Sequence, residues 1–230
     1  MTPTPELSGA EVCVIIPAAG SGTRLGEPVP KAFVDVGGRT ILERCVDNIP
    51  ASLGATVVVV VPADLVERAS ALLTGVRVVA GGAHRSDSVR AGIAAAGGAG
   101  ILLVHDAARP LTPARVFTDV VAAIRAGHQA VVPAVPVVDT LKQVEPGPAG
   151  LERVTRTVDR EELRAVQTPQ GFTRDALLRA HADDAGIATD DAGLVETCGI
   201  DVHLVPGDPL AMKITTPWDL RIVRDMVGGR

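Results

Sequence analysis

The chain has 230 residues, 47% of them apolar and 21% charged, with a mean hydropathy of +0.29; wholesale disorder is excluded and there is ample material for a large core. A net charge of −5 without any Lys/Arg run excludes a general nucleic-acid or membrane-surface binder, so an anionic ligand must be met by a local cationic pocket. With three Phe, one Trp and no Tyr, the core must be Val, Ile, Leu and Ala, and stacking platforms for single-stranded nucleic acid are lacking.

Residues 1–10 read as a frayed Pro/Thr tail with neither the basic nor the apolar region of a signal peptide. Strand-like apolar runs then appear at Val12–Pro17, Thr56–Val61, Val76–Ala80, Ile101–His105 and Ala130–Ala134. Helical periodicity occupies Thr40–Ile49, Ala63–Leu73, Ser86–Ala96 and Pro113–Ala126 between them. Thr40 and Ser86 fit N-caps, and Thr112-Pro113 fits a cap followed by proline at the first helical position. Continuous apolar strands with intervening helices predict a parallel α/β sheet covered on both faces. The longest apolar runs, Val12–Gly20 and Val57–Ala63, are half a membrane span or less.

The alternation breaks at Val135–Asp159, where period-two segments flank a Pro/Gly turn from Glu145 to Gly150. This predicts a β-arm at about 137–159, and a ribbon that is marginal alone in water calls for a partner such as another subunit. Helices are expected near Thr173–Asp183 and Asp190–Cys198, strands at Val202–Val205 and Met212–Thr215, and a last helix capped by Thr216-Pro217. Residues 11–230 therefore read as one domain carrying an arm. Cys13, Cys45 and Cys198 are scattered, with no CxxC pair, and read as small hydrophobes in a reducing compartment. The histidines show no zinc spacing.

The most informative segment is Ile16-Pro-Ala-Ala-Gly20-Ser-Gly22-Thr-Arg24-Leu-Gly26, followed by Pro30-Lys31. It leaves the first strand at the carboxyl edge, where open α/β sheets bind ligands. Small residues let backbone N–H groups approach an anion, and Arg24 and Lys31 bring cations to the same place. A P-loop fails for want of a Gly-Lys pair. A dinucleotide fingerprint has Leu25 at its third glycine, while the acids available, Glu43 in a helix and Asp64 further on, are misplaced. A nucleoside triphosphate loop closed by an arginine and a Pro-Lys remains, beside the plain alternative of a glycine turn with surface cations. Only three of the 22 basic residues are lysines, Lys31, Lys142 and Lys213, which favours specific tasks for them as compact point charges.

This segment resembles the signature of the 2-C-methyl-D-erythritol 4-phosphate cytidylyltransferase family. The likeness continues in order through Gly81-Gly82-Ala83-His84-Arg85-Ser86-Asp87-Ser88, His105-Asp106-Ala107-Ala108-Arg109-Pro110, Asp139-Thr140, Thr157-Val158-Asp159-Arg160, Thr168-Pro169-Gln170, Thr189-Asp190 and Lys213. The resemblance implies a Rossmann-like, mostly parallel sheet with helices on both faces and a homodimer that exchanges the arm, while the sequence, with no signal-like start and no membrane-length apolar run, points to a cytoplasmic protein. It also implies transfer of the cytidylyl group of CTP to 2-C-methyl-D-erythritol 4-phosphate with release of pyrophosphate, in non-mevalonate isoprenoid synthesis. By that likeness, Ala18, Ala19, Gly20 and Gly22 hold the nucleotide, and Arg24 and Lys31 neutralise its phosphates and the transition-state charge. Gly82, Ala83 and Ser88 meet the cytosine; some members carry Asp at Ala83, so a backbone contact would survive there and a side-chain contact would not. Asp106 and Ala107 contact the ligand, Asp106 also as the metal-proximal carboxylate. Arg109 meets the sugar phosphate, Thr140, Thr168 and Thr189 contact the acceptor, and Arg160 and Lys213 position it.

The chemistry needs cations rather than an acid–base pair. A phosphate monoester oxygen, already ionised at neutral pH, attacks the α-phosphorus in line and pyrophosphate leaves. Unit charges 4 Å apart interact by about 4 kcal/mol at an effective dielectric of 20, so a single cation is too few for a triphosphate meeting a dianion. Arg24, Lys31, Arg109, Arg160, Lys213 and Mg²⁺ (or another divalent cation), carried mainly by the CTP phosphates, form a sufficient set. Other readings are a cytidylyltransferase for another polyol phosphate such as ribitol 5-phosphate, an NAD(P)-dependent oxidoreductase, and a non-catalytic nucleotide sensor.

Overall fold

The structure, a computed structural model, describes residues 11–20, 22, 25–182 and 190–229. Strand β1 (Val12–Pro17) is followed by a small hairpin of β2 (Asp35–Val36) and β3 (Arg39–Thr40) and by α1 (Ile41–Asp47). β4 (Thr56–Val61), α2 (Val66–Leu72), β5 (Arg77–Ala80), α3 (Arg85–Ala95), β6 (Ile101–Val104), α4 (Ala114–Arg125) and β7 (Ala130–Pro136) then alternate. The arm is β8 (Lys142–Pro146) and β9 (Glu152–Thr157). β10 (Arg164–Val166), β11 (Gln170–Thr173), α5 (Arg174–Ala182), α6 (Asp191–Thr197), β12 (Val202–Pro206) and α7 (Pro217–Gly228) complete the order.

One sheet runs β10-β7-β11-β6-β1-β4-β5, with β12 also paired to β7. β1 lies parallel to β4 and β6, β4 is parallel to β5, and β12 is parallel to β7. β11 enters antiparallel between β6 and β7. The Val-rich run of β4 and the buried β1 suit a sheet covered twice, because β-branched side chains pack well on a pleated surface. One face is filled by Leu42 and Cys45 of α1 and Phe117, Val120 and Ile124 of α4. The other holds Val89 and Ile93 of α3, Leu177 of α5 and Val195 of α6. Order passes from β1 outward to β4 and β5 and then returns to β6 on the other side of β1, which opens a crevice at the carboxyl ends of β1 and β6.

Local signals hold where a side chain can close its own cap. The Thr40 hydroxyl accepts from the Glu43 amide at 3.1 Å and the Glu43 carboxylate accepts from the Thr40 amide at 2.7 Å. Thr216 and Asp219 repeat this box at α7. Other expectations are corrected. His84, not Ser86, caps α3, and its amide donates to Asp87 at 3.1 Å. Pro113 itself is the cap residue of α4, while the buried Thr112 hydroxyl donates back to the Arg109 carbonyl at 3.0 Å. The segment read as a helix over Ala63–Leu73 begins as a 3-10 turn at Ala63–Leu65. Met212–Thr215 is no strand: its Ile214 amide is taken singly by the Ala108 carbonyl at 2.9 Å, with Ile214 buried in a small cluster beside α7. Asp183, the expected end of α5, lies outside the described residues. Cys13 and Cys45 are buried as expected, whereas Cys198 is half-buried.

The arm is a separate two-stranded sheet, paired from Lys142↔Thr157 to Pro146↔Glu152 with a bulge after Gln143. Every residue of both strands is exposed, including Val144 and Val154, and Leu151 at the turn is 70% exposed. Among the described residues no helix is long and apolar enough to cross a membrane.

Candidate active site

A cavity of about 220 Å³ opens at the carboxyl ends of β1, β5 and β6. Its first wall is Ala18, Ala19 and Gly20. The Ala18 amide donates to the Val60 carbonyl at 2.7 Å, which fixes where the loop leaves the sheet. Gly22 has φ +64°, and a Cβ there would come within 2.4 Å of Lys31 Cβ. A glycine is therefore what lets the loop lie against Lys31. Lys31 lines the cavity from a 3-10 turn, and its ammonium donates to the Ile214 carbonyl.

The second wall is the β5–α3 junction: Gly82, Ala83, His84, Arg85 and Ser88. A Cβ at Gly81 would lie 2.6 Å from Ser88 Oγ and 2.9 Å from Val60 Cγ1, and one at Gly82 would lie 2.4 Å from Asp87 Cβ. Any larger residue would push the strand end off the first turn of the helix. Ser88 is buried, with its hydroxyl donating to the His84 carbonyl at 3.4 Å.

The floor is Asp106 and Ala107, just past β6. The Asp106 amide donates to the Thr168 hydroxyl at 3.0 Å, and the same oxygen lies 3.0 Å from His105 Nδ1. Three cations surround the Asp106 carboxylate: Lys213 at 2.8 Å, Arg109 at 3.6 Å and Arg85 at 3.8 Å. Burial alone would raise its pKa, but Lys213, Arg85 and Arg109 together outweigh burial and hold it at about 2. His105 behaves oppositely: burial drives it down to about 4, so it is neutral beside this charge cluster. The Arg109 guanidinium donates to the Ala211 carbonyl, while its Nε is buried without a hydrogen-bond partner.

Ala18, Ala19, Gly20, Lys31, Gly82, Ala83, Ser88, Asp106, Ala107 and Lys213 are thus brought together around one cavity, with Gly22 packed behind Lys31 and Arg109 beside Asp106. Thr168 lies beneath the floor and supports Asp106 rather than lining the cavity. Thr140 and Arg160 are exposed and line no part of the cavity of their own chain; Arg160 donates to the Val138 carbonyl. Arg24 and Thr189 lie outside the described residues. Arg85 received no role from the sequence, although it stands inside the motif that carries Gly82 and Ser88. Asp191, which holds it from behind, directly follows the Thr189-Asp190 motif, whereas His181, which in turn holds Asp191, carries no motif by which it could have been found.

The family model described as 2-C-methyl-D-erythritol 4-phosphate cytidylyltransferase matches residues 12–228. The enzyme of that name from Nocardia farcinica is 56% identical over 223 residues, covering 95% of each chain. That from Rhodococcus opacus is 56% identical over 219 residues, covering 94% of this chain and 95% of the relative. The crystal structure of 2-C-methyl-D-erythritol 4-phosphate cytidylyltransferase from Thermus thermophilus is 38% identical with a TM-score of 0.77, covering 95% of this chain and 99% of that one.

Proposed function

Since the chain belongs to the 2-C-methyl-D-erythritol 4-phosphate cytidylyltransferase family, we propose that the cavity at the carboxyl edge of its sheet holds both CTP and the acceptor. The enzyme transfers the cytidylyl group of CTP to 2-C-methyl-D-erythritol 4-phosphate, giving 4-diphosphocytidyl-2-C-methyl-D-erythritol and pyrophosphate in isoprenoid biosynthesis. The observation that carries the assignment of the site is the convergence of Lys31 and Lys213 on one cavity from opposite ends of the chain.

The residues divide the work by position. Backbone groups of Ala18, Ala19, Gly20 and Gly22 face the triphosphate, with Lys31 and Arg24 supplying charge. Gly82 and Ala83 admit the cytosine close to the backbone, while Ser88 closes the end of that slot. Lys213 and Arg109 meet the acceptor phosphate, so two anions can approach with their repulsion offset by fixed cations. The acceptor oxygen needs no base, and the α-phosphorus is attacked in line.

Among the described residues no group of three His, Cys, Asp or Glu side chains forms a metal site, whereas Asp106 offers one ionised carboxylate in the cavity wall. That donor set fits Mg²⁺ or another divalent cation carried mainly by the triphosphate, with Asp106 as its protein ligand. Such an ion supplies positive charge to the phosphate oxygens.

Residues 11–230 work, in this reading, as one nucleotidyltransferase domain, and the enzyme is a cytoplasmic homodimer. Its buried thiols Cys13 and Cys45 suit a reducing compartment. The arm crosses to the partner, which covers Val144, Leu151 and Val154 and brings Arg160 and Thr140 to a site. The exposure of all these residues in one chain supports that exchange. Pyrophosphate release with CTP and each acceptor tests the function: rapid turnover with 2-C-methyl-D-erythritol 4-phosphate is expected, and preference for ribitol 5-phosphate would overturn it.

A further inference from the structure

Behind the cavity lies a buried charge that the reaction as described does not use. Asp191, at the start of α6, is fully buried. Its Oδ1 is 2.9 Å from His181 Nε2 on α5, and its Oδ2 accepts from Arg85 Nη2 on α3 at 2.6 Å. His181 is itself buried at 7% exposure. Three elements therefore meet on one carboxylate, and an anion so deep is retained only when paired and hydrogen-bonded.

Arg85 is the link to the cavity, whose wall it forms. The Nη2 that binds Asp191 at 2.6 Å also faces Asp106 Oδ1 at 3.8 Å. One guanidinium is shared by two carboxylates, and the distances show that Asp191 holds it. Asp106 is left with Lys213 at 2.8 Å, Arg109 at 3.6 Å and an open side toward the cavity.

We propose that Asp191, oriented by His181, is a positioning residue for the transfer reaction, holding Arg85 back from Asp106 so that Asp106 stays available to Lys213 and the bound nucleotide. This role for Asp191 rests on the cavity being the CTP site. Without the Asp191 charge, Asp106 is the carboxylate left within ion-pair distance of Arg85 among the described residues, with Asp190 adding only a weaker, more distant attraction. The planar fork would then close on Asp106 as a tight pair and withdraw it from the cavity.

The test is a double-mutant cycle in kcat and KM for CTP, with melting temperatures recorded alongside. Asp191→Asn keeps the shape and the oxygen facing His181 but removes the charge; Arg85→Met removes the guanidinium. Asp191→Asn should raise KM for CTP about tenfold, and the same change in the Arg85→Met background should alter it less than twofold. Equal losses in both backgrounds, or a fall in kcat at unchanged KM, would overturn the proposal, because a structural defect merely lowers the active fraction. Should Asp191→Asn fail to fold, His181→Gln carries the test, with the same dependence on Arg85 expected and its absence decisive. A wild-type enzyme that released no pyrophosphate from CTP and 2-C-methyl-D-erythritol 4-phosphate would defeat the cavity reading itself. Normal wild-type turnover with a normal KM in Asp191→Asn would defeat this inference alone.

Discussion

Lys213 Nζ lies 2.8 Å from Asp106 Oδ2, a contact between a loop near the end of the chain and the residue pair that follows β6. A lysine held this way is aimed before any substrate arrives, and aim of this kind gives a fixed charge its catalytic value. Lys31, donating to the Ile214 carbonyl next to Lys213, is tied to the same loop.

Lys31→Ala and Lys213→Ala should each lower kcat/KM by on the order of 10²–10³, the scale for loss of one preorganised stabiliser. The Lys31 change should act through CTP and the Lys213 change through the acceptor. Near-wild-type turnover by the Lys31 variant at subsaturating CTP would remove that lysine from the site.

CTP should be strongly preferred to ATP. The Gly81-Gly82 backbone is packed so closely on Ser88 and Asp87 that the base slot has little room to widen for a purine. Competition assays measuring kcat/KM for both nucleotides check this; equal values would refute it.

His105 gives acid sensitivity of a definite sign. Burial lowers its pKa from 6.5 to about 4, so between those values the unfolded chain binds the extra proton and the native state does not. Stability attributable to this residue is complete above pH 6.5 and is lost as pH falls toward 4. Denaturant titrations of His105→Asn should show a shallower decline over that window, by up to about 1.4 kcal/mol per pH unit. Parallel declines for the two proteins would contradict the assignment.

Exchange of the arm predicts complementation between two inactive variants. Arg24→Ala and Arg160→Ala, refolded together, should form mixed dimers in half of all pairings. One site in each mixed dimer then receives both arginines, and about a quarter of wild-type activity returns. If Arg160 serves its own chain, every site lacks one arginine. No recovery, with mixed dimers confirmed by native mass spectrometry, would show that it does not act across the interface.

The signals legible in the sequence were the ones that act over a few residues. Thr40 and Thr216 announce their helices because the cap, the box partner and the helix lie within four residues of one another. β1 and β4 are legible from unbroken apolar runs, and the arm from alternation about a Pro/Gly turn. The loop from Ala18 to Lys31 shows its chemistry because small residues and cations recur at a strand end. Gln170–Thr173 carries no comparable pattern, since its place between β6 and β7 is dictated by the two strands it joins. Met212–Thr215 alternates like a strand yet forms no ladder among the described residues, its Ile214 amide bonding singly to the Ala108 carbonyl, and it serves to deliver Lys213. The low pKa of Asp106 and the hold of Asp191 on Arg85 belong wholly to the tertiary structure. Charges there meet across helices α3 and α6, the end of β6 and the loop that carries Lys213, and a Coulomb energy depends on distance and burial that no local pattern encodes.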